Sequence, residues 1–149
     1  MAAARGNPQA AARSRARRLA LQALYQWQMT ATDPGELLAQ FEHSDEYRGA
    51  DGEYFRELVQ RVIQDVAEID GLYRPYLDRK PDEVDPVERA VLRLATRELR
   101  DRIDVPYRVV LNEAVALTRK FGAEQAHTFV NGVLDRVARD LRQVEYQGR

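Results

Sequence analysis

The sequence predicts an all-α fold, two antiparallel three-helix bundles packed together, and three observations carry that expectation. Apolar residues recur at intervals of three and four along nearly the whole chain, the spacing of one helix face, and not in strict alternation. β-Branched residues follow the same spacing, and the Asn131-Gly132 pair lies inside a helical pattern instead of between two apolar runs, so no hairpin is signalled. Six helical segments joined by short connections are what antiparallel helix packing requires.

The opening stretch, residues 1–12, is mostly alanine with Gly, Pro and Gln and offers nothing to bury, so a flexible N-terminal tail is expected there. A single all-helical domain is expected over 13–149. Residues 14–30 place Ala16, Leu19, Ala20, Ala23, Leu24 and Trp27 on one arc at about 100° per residue. Asp33 and Pro34 supply an N-cap and a first-turn proline for a short helix carrying Leu37, Leu38 and Phe41. "HSDEYRGADG" is the following loop. From about Asp51 the series Phe55, Leu58, Val59, Val62, Ile63, Val66, Ile69 predicts a long amphipathic helix, the expected central post, ending near Gly71 to Pro75. After the turn "RKPDEVD", Asp85-Pro86-Val87-Glu88 reads as a capping box opening a helix through Leu99. Pro106 starts another that Gly122 stops, and the last runs from about Glu124 to Leu141.

Composition narrows the function classes. With 149 residues, 44% hydrophobic and 32% charged, the chain has the profile of an ordinary soluble domain. No apolar run approaches the roughly 20 residues that cross a bilayer. The N-terminus lacks the apolar region of a secretory signal, so no membrane association and a cytoplasmic location are expected. Cysteine is absent, which removes disulfides, thiol nucleophiles and zinc ribbons, and only His43 and His127 offer imidazoles. No metal site is expected. Neither histidine belongs to a nucleophile motif, no glycine-rich phosphate cradle is present, and Glu57/Arg61 and Glu98/Arg102 pair at helical spacing as on solvated faces. Neither a catalytic residue nor a cofactor is expected.

The net charge of −1 hides a segregation. Residues up to Gln28 carry Arg5, Arg13, Arg15, Arg17 and Arg18 with no acid, whereas from Asp33 to Glu57 eight acids face Arg48 and Arg56. On a helical wheel Arg15, Arg18, Gln22, Tyr25 and Gln26 all fall within one arc of about 100°. That narrow polar stripe borders the apolar arc, while Arg13 and Arg17 point near the helix's other edge. Cations for phosphates, amides for base edges and an aromatic plane for stacking are what single-stranded RNA requires. An ordinary solvated helix face carries the same residue types. In the last helix Phe129 lies at the edge of the inward arc, as a stacking platform or as a cap on the core. Glu88 falls within an apolar arc, where it either closes the capping box or meets a basic partner protein.

The segments "RARRLALQALYQWQ", "EYFRELVQRV", "VERAVLRLATRELR" and above all "VPYRVVLNEAVALTRKFGAEQAHTFVNGVLDRV" resemble the transcription antitermination factor NusB family, over roughly Arg13 to Leu141. The resemblance implies a non-catalytic protein of two three-helix bundles. It would bind the boxA element of ribosomal RNA operon transcripts together with NusE, a small-subunit ribosomal protein. The pair would join RNA polymerase in an antitermination complex. Carried over residue by residue, the RNA contacts fall on Arg13, Arg15, Arg17, Arg18, Gln22, Tyr25, Phe129 and Asn131, and the NusE-facing residues are Tyr25, Tyr76 and Glu88. Two departures stand out: Thr128 occupies a position where many relatives have lysine, implying one phosphate contact fewer, and the 12-residue leader is unusual. The alternative is a helical adaptor module without RNA specificity of its own. A similar helical domain precedes the catalytic domain of some ribosomal RNA cytosine methyltransferases; on that reading this chain, ending at Arg149, would be a fragment.

Overall fold

The computed structural model describes residues 7–148, and among these every regular element is helical, as expected. The α-helices are α1 (Pro8–Thr30), α2 (Pro34–Glu42), α3 (Gly52–Gln64), α4 (Val66–Tyr73), α5 (Pro86–Asp101), α6 (Tyr107–Phe121), α7 (Ala126–Leu141) and α8 (Gln143–Gln147). Short 3₁₀ turns lie at Asp45–Gly49, Arg74–Tyr76 and Pro81–Glu83. The chain divides into two compact units, Met1–Gln60 and Arg61–Arg149.

In the first unit, α1 begins earlier than its apolar pattern indicates. The Asn7 side chain accepts hydrogen bonds from the Gln9 and Ala10 amides, both at 3.1 Å, and Pro8 occupies the first turn. Three alanines then extend a helix already nucleated downstream, and the Asp51 amide donates to the Ala12 carbonyl at 3.0 Å. Residues 8–12 are therefore helical, and the first six residues of the expected tail over 1–12 lie outside the described part. The absence of apolar residues removes a reason to pack, but not a reason to be helical.

The inward face of α1 is as read: Ala16, Leu19, Ala20, Ala23 and Leu24 are buried, and Trp27 is half-buried. Ala31, left-handed at φ 55°, ends the helix. Asp33 caps α2 through the Gly35 and Glu36 amides, with Pro34 in the first turn. Fully buried Phe55 meets the Phe41 ring at 6.3 Å and the Tyr47 ring edge-on at 6.1 Å.

The second unit corrects three expectations. The long helix expected from Asp51 is interrupted at Asp65 (φ −109°, ψ 26°), whose carboxylate accepts from Arg100 at 2.7 Å. The helix enclosed by its neighbours is α5, which packs against α4, α6 and α7 and buries Ala90, Val91, Leu92, Leu94, Ala95 and Leu99. At its start the Asp85 carboxylate accepts from the Val87 amide at 2.8 Å, but Glu88 makes no bond back to Asp85, so the capping box is not closed. Gly122 ends α6 as read, although by close approach and not by a left-handed turn: a Cβ there would lie 2.8 Å from the Thr118 carbonyl oxygen.

The helix α8 lies beyond the expected end of helical structure. It is set by Arg142, whose buried guanidinium donates to the carbonyls of Leu99 (2.8 Å), Val105 (2.9 Å), Glu98 (3.2 Å) and Arg102 (2.9 Å), and to the Glu145 carboxylate (2.7 Å). These carbonyls sit at the C-terminal end of α5 and just beyond it; those of Glu98 and Arg102 also accept from the Arg102 and Val105 amides, both at 2.9 Å. Glu145 in turn accepts from the Tyr107 amide at 2.8 Å, and Tyr146 packs on Tyr107 while donating to Asp135. Burial works against ionisation of Glu145, but the Tyr107 amide and Arg142 outweigh it and hold the carboxyl below its ordinary range.

Candidate nucleic-acid interface

The four arginines at the start of α1 divide in two. Arg17 is only 3% exposed and lies 5.5 Å over the Tyr54 ring of α3. Arg13 lies 4.5 Å over the same ring and pairs with Asp51 at 3.8 Å. Both cations therefore fasten α1 to the start of α3. Arg15 is exposed and extends along Gly49, where a Cβ would come within 2.6 Å of its guanidinium. Arg18 is half-buried one turn on from Arg15. The helical wheel separates the pairs correctly; it gives no sign of Tyr54.

Along the stripe from Arg15 and Arg18, the Gln22 amide donates to the Arg18 carbonyl at 3.1 Å, leaving its side-chain oxygen as the outward group. Gln26 makes a reciprocal amide pair with Gln40 of α2 at 2.9 Å. Tyr25 is 39% exposed, and Met29, one turn further, is 57% exposed. This face combines two cations, an amide oxygen and an aromatic ring.

In the second unit Phe129 is half-buried on α7, and its ring is covered by Arg79, whose guanidinium carbon lies 3.9 Å from the ring centroid. Arg79 is exposed and held by Asp78 through Nε–Oδ1 at 2.7 Å and Nη2–Oδ2 at 3.4 Å. In the sequence Arg79 reads only as part of a turn, and nothing local links it to Phe129, fifty residues away. Asn131 follows Phe129 by two residues, about 200° around a helix. It lines a separate polar depression of about 240 Å³ with Arg108, Asn112 and Asp135. Phe129 and Asn131, two residues apart in the sequence motif, therefore face different surroundings.

The three residues expected to meet a partner protein lie on different elements. Tyr25 belongs to the exposed α1 face. The Tyr76 hydroxyl bonds to Asp140 of α7, which pushes its ionisation upward, burial adding to the effect. Glu88 is 5% exposed and has no direct ion-pair partner among the described residues. Burial pushes its carboxyl up, the Asp85 charge adds to this, and Arg79 partly offsets it. Among the described residues there is no group of three or more His, Asp or Glu that could hold a metal, and no helix long and apolar enough to cross a membrane.

Residues 14–139 match the NusB family. This chain is a member of the NusB family. It is 51% identical over 135 residues to the transcription antitermination protein NusB of Pseudoalteromonas atlantica, covering 91% of this chain and 96% of that protein. It is 54% identical over 133 residues to NusB of Xanthomonas axonopodis pv. citri, covering 89% and 84%. Among solved structures, T. maritima NusB superposes with a TM-score of 0.77 at 30% identity, covering 90% of this chain and 96% of that one. A NusB chain crystallised with NusE and double-stranded RNA gives 0.73 at 31% identity, covering 85% and 96%. NusB proteins are transcription antitermination factors and not enzymes, and this chain is one of them.

Proposed function

We propose that this chain binds a boxA-like single-stranded RNA of ribosomal RNA operon transcripts together with NusE, and that the pair joins the RNA polymerase antitermination complex in the cytoplasm to keep ribosomal RNA synthesis processive. The observation that carries this reading is the division of the α1 arginines. Arg13 and Arg17 are committed to Tyr54 and Asp51, while Arg15 and Arg18 remain on the face shared with Gln22 and Tyr25. Two cations serve phosphates, the Gln22 oxygen serves a base-edge donor, and Tyr25 serves a base plane or a partner side chain. Within the second unit, Phe129 and Asn131 are RNA contacts on two sides of α7. Tyr25, Tyr76 and Glu88 are assigned to NusE. A family relative crystallised with NusE and RNA supports both partner classes.

Stacking on aromatic side chains requires bases released from a duplex, so the single strand is the favoured ligand. Fluorescence anisotropy with labelled boxA RNA, a scrambled strand and a boxA duplex, with and without NusE, tests this reading. Preference for single-stranded boxA, strengthened by NusE, is expected. Arg15→Glu with Arg18→Glu should weaken binding to every strand, and Phe129→Ala should weaken it by about tenfold. Equal affinity of these variants and the unaltered protein would remove the site.

Tyr25 and Met29, exposed one turn apart on α1, favour a second reading as a protein adaptor without RNA specificity. Tight NusE binding combined with indifference to scrambling the RNA would select it.

A further inference from the structure

We propose that Arg79 is the surface on which an RNA base stacks in the second unit, with the Phe129 ring as its support. This rests on the RNA-binding reading above and changes which atoms the base meets. The Arg79 guanidinium carbon is 3.9 Å from the Phe129 ring centroid, closer than the 4.5 Å of Arg13 over Tyr54. A base approaching the covered side of Phe129 therefore encounters guanidinium before ring. Guanidinium planes are themselves good partners for unstacked bases.

The position of Arg79 is prepared by its surroundings. Asp78 takes Nε and Nη2 in a two-pronged pair, which occupies one edge of the fork and leaves the face turned away from Phe129. The following turn is fixed by the Lys80 amide donating to Glu83, and by Arg89 donating to the Pro81 and Val84 carbonyls. Arg79 is thus an exposed cation on a pinned segment, and ordering it on binding costs little.

Charge decides between a base and a phosphate. From Asp78 to Glu88 five acids accompany two bases, a local balance of −3. The carboxylates of Asp78, Glu83 and Glu88 act on Arg79 itself. A phosphate brought to this guanidinium would meet surrounding negative charge, whereas a base plane carries none. The contact at Arg79 therefore reads stacking, in contrast to the acid-free start of α1.

Anisotropy titrations of the full chain with fluorescein-labelled single-stranded boxA RNA test this, using Arg79→Ala, Arg79→Lys, Phe129→Ala, the double alanine variant, and Arg15→Glu with Arg18→Glu as a reference. Far-UV circular dichroism checks that each remains helical. Arg79→Ala is expected to weaken binding about tenfold with an unchanged salt slope, Arg79→Lys to give no rescue, and the double variant to be no weaker than Phe129→Ala alone. Binding by Arg79→Ala as tight as or tighter than the unaltered protein, alongside loss in Phe129→Ala, would overturn the proposal and make Arg79 a displaced cover. Rescue by lysine with a shallower salt slope in Arg79→Ala would overturn it in favour of a phosphate contact. If the Arg15/Arg18 reference also binds normally, the RNA-binding reading itself fails.

Discussion

Arg17 is a cation almost without solvent, and it lies over the π-face of Tyr54, which it shares with Arg13. Arg17→Ala removes a desolvated cation–π contact and the packing of the side-chain stem, so a loss of about 2 kcal/mol is expected. Urea denaturation should show a lower midpoint with an unchanged slope, whereas Arg15→Ala should shift stability by less than about 0.5 kcal/mol. The difference between these arginines was half legible in the sequence. Helix geometry is local and assigns each residue to a face, but Tyr54 reaches that face only through tertiary structure. Glu88 offers a second test at this scale. Its carboxyl is pushed above its ordinary value of 4.5, chiefly by burial, so the folded state holds its proton at pH values where the unfolded chain has released it. Stability is therefore lost as pH rises from the ordinary value through the raised one. Glu88→Gln is expected to be more stable than the unaltered protein near neutral pH, with the advantage vanishing below about pH 4 in thermal melts across that range.

The α5 helix shows how a single side chain outside an element can finish it. Arg142 supplies donors to four carbonyls at and beyond the end of α5, and holds Glu145 against the first turn of α6. Arg142→Ala takes the guanidinium from the Leu99 and Val105 carbonyls, while those of Glu98 and Arg102 keep backbone donors, and a loss of about 3 kcal/mol is expected. Lysine should not restore it, because a point-like ammonium cannot serve acceptors spread around a planar fork. A urea midpoint for Arg142→Lys equal to that of the unaltered protein would refute this account. Most helices were legible because spacing, N-caps and prolines are written in neighbouring residues: Asp33-Pro34, Pro106 and Gly122 mark boundaries that the structure keeps. The interruption at Asp65 and the helix α8 were not legible. One depends on Arg100, thirty-five residues away, and the other on carbonyls forty residues earlier.

Over the whole molecule a net charge of −1 coexists with a cationic start and an acidic stretch that follows it. RNA affinity is expected to come from the local excess on α1, not from the overall charge. Each phosphate contact to a single strand contributes about 0.7 to the slope of log affinity against log salt. Removing Arg15 and Arg18 together should therefore flatten that slope by about 1.4, while the Arg79→Ala slope stays unchanged. The candidate site was legible to the same depth as the fold. The α1 stripe follows from periodicity, whereas the Arg79–Phe129 stack joins residues far apart in sequence, and the Asn131 depression combines side chains of α6 and α7. Trp27, half-buried in α1, has a further consequence. As the sole tryptophan of the chain it makes indole emission a reporter of the first unit, while the second contributes only tyrosines. An Arg142 variant followed by indole emission and by far-UV ellipticity is thus observed once from the unaltered unit and once from both, and the separation of the two curves measures in one titration how strongly the units share their cooperativity.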